Sequence, residues 1–191
     1  MHDTPIKQRI LEEAAKLFQE KGYLAASMRD IADRVGLRVS SLYSHFSGKE
    51  ELLRLICFDC AEKYLAGMRT FQRLEIPASE KVRRLIRMHI QIATHDITSV
   101  TIFNDEWQHL SEPHFGQFLA LRREYESQFG DIIRQGIAER TFEDVHVRVT
   151  LSTILTSLRW LHRQQPDRQG LPAAELEKAI LQLILKGLEK R

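Results

Sequence analysis

The chain of 191 residues lacks several things that would point to a specific chemistry. It has no apolar run long enough for a membrane. The best candidate, residues 179–188, is interrupted by Gln182 and Lys186 and falls short of the roughly 20 apolar residues a span requires. No apolar stretch follows a charged start, because MHDTPIKQRI turns amphipathic at once, so no signal peptide is expected. The chain is therefore read as soluble and cytoplasmic. Charge of one sign is also missing. Against 28 Lys and Arg stand 26 Asp and Glu, a net charge of +2, so any basic footprint must be local. Only two cysteines are present, Cys57 and Cys60. A redox C-x-x-C needs a strand-to-helix context and a lowered thiol pKa. This pair lies inside a continuous helical pattern, where i and i+3 are neighbours on one face, and two cysteines are too few for a structural zinc site. They are read as two small semi-buried residues.

Enzymatic signatures are missing as well. The chain has no Gly-rich phosphate loop, no G-x-S-x-G and no nucleophile with an obvious base. No catalytic residue and no cofactor are assigned. His89, His95, His109 and His114, with Asp96 and Asp105, invite a metal site, but no H-E-x-x-H or similar spacing joins them. His89 falls on an apolar helix face, where a hydrogen-bonded core residue is the simpler reading, and no metal is expected.

What is there is helical. No alternating strand pattern, low-complexity tract or internal repeat appears, and nearly every periodic segment has the 3.6-residue period. Thr4 and Pro5 resemble an N-cap with a first-turn proline, and Ile6, Ile10, Leu11, Ala14, Leu17 and Phe18 share a face up to Gly22. Ser27 caps a short helix, with Asp30 in an acidic variant of the capping box, and its buried face is Met28, Ile31, Ala32 and Val35. A turn at Gly36, Leu37 and Arg38 leads into VSSLYSHF. After Ser47 and Gly48 a long helix runs from Lys49 to about Arg73. Further helices are predicted from Ser79 to about His95, around 98–110, from Pro113 past Ile133, over 143–164 and over 173–190, with a polar loop at 166–172. The fold class is all-α, with about nine helices.

Residues 27–46 have the layout of a helix-turn-helix, in which a second short helix lies in a major groove. Small Ala32 lets the two helices approach, and Gly36 permits the positive φ of the turn. Leu37 and Leu42 would fix the second helix to the core. Arg38, Val39, Ser40, Ser41, Tyr43, Ser44 and His45 remain on its outer side. A solvated face would favour Glu, Lys and Gln. These groups instead suit base edges, thymine methyls and phosphates.

The string LYSHFSGKEELL, 42–53, together with LFQEKGYLAASMRDIADRVGL upstream of it, closely resembles the TetR family of transcriptional regulators over about the first 55 residues. The matching positions are Gly22, Tyr23, Ser27, Ile31, Ala32, Val35, Gly36, Tyr43, Phe46 and Lys49. The resemblance implies a DNA-binding head, 1–48, and a ligand-binding and dimerising helical body, 49–191. It further implies phosphate contacts at Tyr43, Lys49 and Ser27, with base reading by Arg38, Val39, Ser40 and Ser44. Arg29 can reach a phosphate, whereas Met28 stands where many relatives carry a polar residue. The expected function is a regulator bound to palindromic double-stranded DNA and released by a small-molecule inducer.

In the body, broad apolar stripes on the last two helices carry Leu151, Ile154, Leu158, Leu176, Ile180, Leu183 and Ile184. A four-helix bundle between two copies would cover them, and packing within one chain is the alternative. Met88, Ile92, Phe103, Trp107, Tyr125, Phe129 and Trp160 have spacings that can line a cavity or make plain core. The strings at 103–129 and 158–180 bear a fainter resemblance to TetR-type regulators of fatty-acid, steroid and aromatic-acid catabolism, which implies an acyl-CoA inducer. Cations for its phosphates are available at Arg122, Arg123, Arg159, Arg163 and Arg168, each of which can equally be a solvated side chain. The alternative is a repressor of an efflux or detoxification gene induced by a hydrophobic or aromatic compound.

Overall fold

The computed structural model describes residues 6–159, 161 and 172–188. Among them are nine α-helices and no strand: α1 (Ile6–Lys21), α2 (Met28–Val35), α3 (Val39–Tyr43), α4 (Lys49–Gln72), α5 (Ala78–His95), α6 (Ile97–Asp105), α7 (His114–Ala138), α8 (Val147–Arg159) and α9 (Ala173–Lys186). A 3-10 turn, Trp107–His109, joins α6 to the segment before α7. The all-α class and the helix-turn-helix head therefore stand as the periodicity predicted. Thr4, Pro5 and most of the 166–172 loop lie outside the described residues.

Boundaries differ in three places. The recognition segment is helical only over Val39–Tyr43. The amides of His45 and Phe46 both return to the Leu42 carbonyl, which closes the helix early. The helix predicted from Glu143 begins at Val147; before it the Glu143 N–H donates to the Leu188 carbonyl at 3.0 Å, and the Val145 N–H turns back to the Glu143 carbonyl at 2.8 Å, a tighter turn than a helix makes. The last helix stops at Lys186, with Gly187 as its C-cap.

The described chain divides into two compact units. One holds the described residues of 1–61 and 98–119; the other holds those of 62–97 and 120–191. In the first, α1 packs on α2 and α2 on α3, over a core of Ile10, Leu17, Phe18, Ile31, Leu42, Leu52 and Leu53. Cys57 and Cys60 lie in that same interior and form no disulfide. They are fully buried rather than semi-buried, and burial pushes the Cys57 thiol up to about 12. In the second unit, α5 packs against α8 and α9. Gly67 matters there: a Cβ at this position would collide with Met88 Sδ, so its absence lets α4 and α5 close together. Among the described residues no helix is long and apolar enough to cross a membrane.

Candidate nucleic-acid interface and ligand-binding body

The head is built by two local devices. Ser27 and Asp30 form a complete capping box. The Asp30 N–H donates to Ser27 Oγ at 3.2 Å, and the Ser27 N–H donates to Asp30 Oδ2 at 2.9 Å. The Ser27 hydroxyl also donates to Asp30 Oδ2 at 2.5 Å. These bonds to the charged form, with Lys21 beside it, hold the Asp30 carboxyl down at about 2. At the other end of α2, Gly36 takes φ 75° and ψ 33°, the left-handed cap that glycine adopts without penalty. The next amide, that of Leu37, returns to the Ala32 carbonyl at 2.9 Å. This closure turns the chain sharply into α3.

Leu42 is fully buried and anchors α3 to the core. Leu37 is only half-buried, so it is a weaker anchor than its sequence position suggested. Of the seven predicted outer residues, Arg38, Ser40, Tyr43 and Ser44 are exposed, while Val39, Ser41 and His45 are half-buried. Tyr43 stands 51% exposed. Ser44 Oγ donates to the Ser41 carbonyl at 2.7 Å. Arg29 is exposed and Met28 buried, so Met28 presents nothing to a base. Ser27 is exposed, but its hydroxyl proton is engaged by Asp30. Lys49 is half-buried, and its ammonium is taken up by main-chain carbonyls of the α1–α2 turn.

Body residues predicted to line one cavity fall into different compact units. Phe103 and Trp107 belong to the first unit, where Trp107 stacks on Phe115 and Phe118, and Phe103 meets Phe118 edge-on. In the second unit, Tyr125 contacts Phe129 edge-on, and its hydroxyl lies 2.7 Å from His89 Nε2. The Tyr64 ring stacks on His89 with centroids 4.5 Å apart. Burial lowers His89 to about 3 and pushes the Tyr125 phenol up. His89 is thus hydrogen-bonded, as its apolar face suggested, but half-buried rather than fully in the core. Tyr64 was not singled out from the sequence, although it continues the α4 face of Cys57, Cys60 and Ala61 at helical spacing. Met88 is buried against Gly67, and Ile92 is half-buried.

Among the candidate cations, Arg123 is an exposed side chain of α7. Arg122 behaves differently. Burial lowers its guanidinium first, and the like charge of Arg159 lowers it further, with Glu126 opposing. Two cations from α7 and α8 thus feel each other. Trp160, Arg163 and Arg168 lie outside the described residues.

The predicted dimer stripe is largely spent within the chain. Leu151, Ile154, Leu158, Leu176 and Ile180 are all buried, because their faces of α8 and α9 point inward. This leaves them little surface for a partner. Leu183 is 76% exposed, Val149 is also exposed, and Ile184 is half-buried.

Comparison with known proteins agrees with this geometry. Residues 10–56 match the family described as bacterial regulatory proteins, tetR family, and residues 75–188 match the tetracyclin repressor-like C-terminal domain. The chain is 30% identical to the HTH-type transcriptional repressor KstR2 of Mycolicibacterium smegmatis, over 97% of this chain and 94% of that protein. The structure of the ketosteroid transcriptional regulator KstR2 of Mycobacterium tuberculosis superposes with a TM-score of 0.92 at 27% identity, covering 100% of this chain and 98% of that one. AibR, solved in complex with isovaleryl coenzyme A and operator DNA, has the same fold. Its TM-score is 0.84 at 21% identity, over 93% of this chain and 97% of that one. The chain belongs to the TetR family of bacterial regulators and is a DNA-binding transcriptional regulator rather than an enzyme.

Proposed function

We propose that the protein is a repressor that binds a palindromic operator as a homodimer and releases it when an acyl-CoA enters the body. The observation that carries the DNA-binding part is the outward face of α3. Behind a left-handed turn at Gly36, Arg38, Ser40, Tyr43 and Ser44 project from a helix held by one buried leucine. In this reading Arg38, Val39, Ser40 and Ser44 meet base edges, with Ser41 and His45 at the margin of the same face. Tyr43 and Arg29 hold phosphates. Residues 1–48 supply the DNA contacts and 49–191 the sensing and pairing surfaces.

The pair of Arg122 and Arg159 supports an anionic ligand. Both guanidinium groups carry positive charge within electrostatic reach of each other, from α7 and α8, which suits an anionic group. The aromatic side chains Tyr125 and Phe129 offer the apolar surroundings an acyl chain requires. The same fold accommodates isovaleryl coenzyme A and operator DNA in AibR, and KstR2 carries the name of a repressor. Pairing through α8 and α9 would use the exposed Leu183 and its neighbours.

A panel of medium-chain, long-chain and aromatic CoA thioesters tests the reading, with free acids and free CoA as controls. Thermal shift and release from a duplex selected out of a random-sequence pool are both recorded. A ligand at a hundredfold excess over its dissociation constant should add about 2.7 kcal/mol of stability. Release requires more, since a ligand that binds both body geometries equally shifts nothing. Release by one thioester class, with no effect of either half alone, is the expected result. The absence of any shift with the whole panel would overturn the acyl-CoA part and favour a hydrophobic or aromatic inducer.

A further inference from the structure

Lys81, the fourth residue of α5, is the one charged side chain among the described residues that is buried, at 6% exposure. Its ammonium donates to the Gln72 carbonyl at 3.1 Å and to Gln135 Oε1 at 3.2 Å. Both acceptors are neutral. An ammonium has three N–H donors, so one is left over. No carboxylate among the described residues forms an ion pair with it. Glu139 spends Oε2 on the Ala78 N–H at 3.0 Å and Oε1 on the Gln135 side-chain amide at 2.5 Å. A lysine that merely closes the end of a helix keeps its charge in water. Burying an ammonium on neutral partners costs free energy unless a counter-charge reaches it.

Lys81 lines a cleft of about 680 Å³ where the end of α4, the α4–α5 loop and the C-terminal end of α7 meet, all within the second compact unit. Gln72 and Gln135 line it as well, which places the ammonium they hold at its wall. Arg73 is a second cation on the lining. It is exposed and makes no hydrogen bond or ion pair with another described residue. Leu74, Ile76 and Pro77 supply apolar surface beside the two cations. The lining also carries Glu75 and Glu139, so its formal charges balance. A single negative charge suits such a site, whereas the several phosphates of a nucleotide or coenzyme would meet two carboxylates. We propose that this cleft binds a small organic acid, its carboxylate on Lys81 and Arg73 and its apolar part against Leu74, Ile76 and Pro77. The cleft shares no residue with the aromatic side chains Tyr125 and Phe129 or with the Arg122 and Arg159 pair, so the proposal stands independently of the acyl-CoA reading.

Hexanoate and benzoate are the probes, added at millimolar concentration to the full-length protein at constant ionic strength in chloride. Hexanamide and benzamide keep the apolar part without the charge, and inorganic phosphate keeps the charge without the apolar part. Binding is followed by saturation-transfer NMR of the probe and by the melting temperature. At least one acid should bind and raise the melting temperature, with no comparable effect of its amide or of phosphate. Arg73→Gln removes an exposed cation and should weaken that acid by about tenfold. Lys81→Met should abolish its binding. If the methionine variant does not fold, Arg73→Gln decides, with Arg123→Gln, an exposed arginine outside the cleft, as the control that leaves binding unchanged. Absence of binding by both acids would overturn the proposal. An acid that binds Arg73→Gln as tightly as the parent sits elsewhere on the protein, which overturns it equally. An amide that binds as well as its acid would remove the role of the two cations. Phosphate acting as strongly as the acids would mean that charge alone is recognised, and the assignment to an organic acid would fall.

Discussion

His89 Nε2 lies 2.7 Å from the Tyr125 hydroxyl oxygen, a hydrogen bond that joins α5 to α7. Each partner is neutral for the same reason. Burial penalises the imidazolium, bringing His89 to about 3, and it penalises the phenolate, raising Tyr125.

A pH dependence of stability follows. The unfolded imidazole titrates near its ordinary 6.5, whereas the folded one resists protonation until about 3. Between those values the unfolded chain binds the additional proton, so stability rises with pH there. The contribution is fully present above 6.5 and is lost as pH falls through that value. The full effect of one proton is about 1.4 kcal/mol per pH unit. His89→Gln retains a partner for the Tyr125 hydroxyl but cannot titrate. Urea unfolding between pH 7.5 and 5 should show a flatter profile for this variant. Parallel profiles would mean that His89 reaches solvent when folded.

The capping box acts in a lower window. Asp30 is held at about 2 against an ordinary 3.8, so its contribution is present above 3.8 and disappears as pH falls toward 2. Ser27→Ala removes the acceptor for the Asp30 amide and should cost about 1 kcal/mol, the usual value of an N-cap serine. Because Ser27 spends its hydroxyl proton on Asp30, Ser27→Ala should also lose less DNA affinity than Tyr43→Ala. Paired melting and binding titrations of the two variants check both statements.

These two sites differ in how visible they were in the sequence. Ser27, Asp30 and Gly36 act within a few residues of one another, so spacing alone announced the cap, the helix and the turn. Leu42 was legible for the same reason, as the inward member of a five-residue helix. Lys49 was different. Its partners lie 23 to 26 residues away in the chain, and no periodicity links a helix's first lysine to the carbonyls of a distant turn. Aromatic spacing had the same weakness. Phe103 and Tyr125 both occupy apolar helix faces, but the sequence could not show that they fall in separate units. The bond from the Glu143 amide to the Leu188 carbonyl is equally long-range and leaves no trace in the local pattern.

On α3, the exposed phenol of Tyr43 and the guanidinium of Arg38 should respond differently to truncation. Tyr43→Ala should weaken binding to all duplexes by a similar factor, as expected for a backbone contact. Arg38→Ala should relax discrimination at one or two positions of each half-site, by roughly 1–3 kcal/mol. Binding of each variant to a set of singly substituted duplexes at fixed salt distinguishes the two patterns. Equal affinity of Tyr43→Ala and the parent would remove α3 as the recognition helix.

Neighbouring positions on α9 offer the sharpest test of how two copies pair. Leu183 is 76% exposed, whereas Ile180, one turn away on the buried face, is 7% exposed. A glutamate at 183 keeps its charge in water and disturbs nothing within the chain. It places a carboxylate at the surface that a partner would cover, which is costly without a counter-charge. Leu183→Glu should therefore retain the parent's helicity, elute as a monomer at micromolar concentration and lose binding to a palindromic duplex. A glutamate at 180 would enter the core that α9 shares with α5. Ile180→Glu should lower the melting temperature sharply, since a buried unpaired charge is among the most destabilising of single changes. Light scattering and thermal melts on both variants separate pairing from folding. A Leu183→Glu protein that remains dimeric would show that the copies meet through another surface.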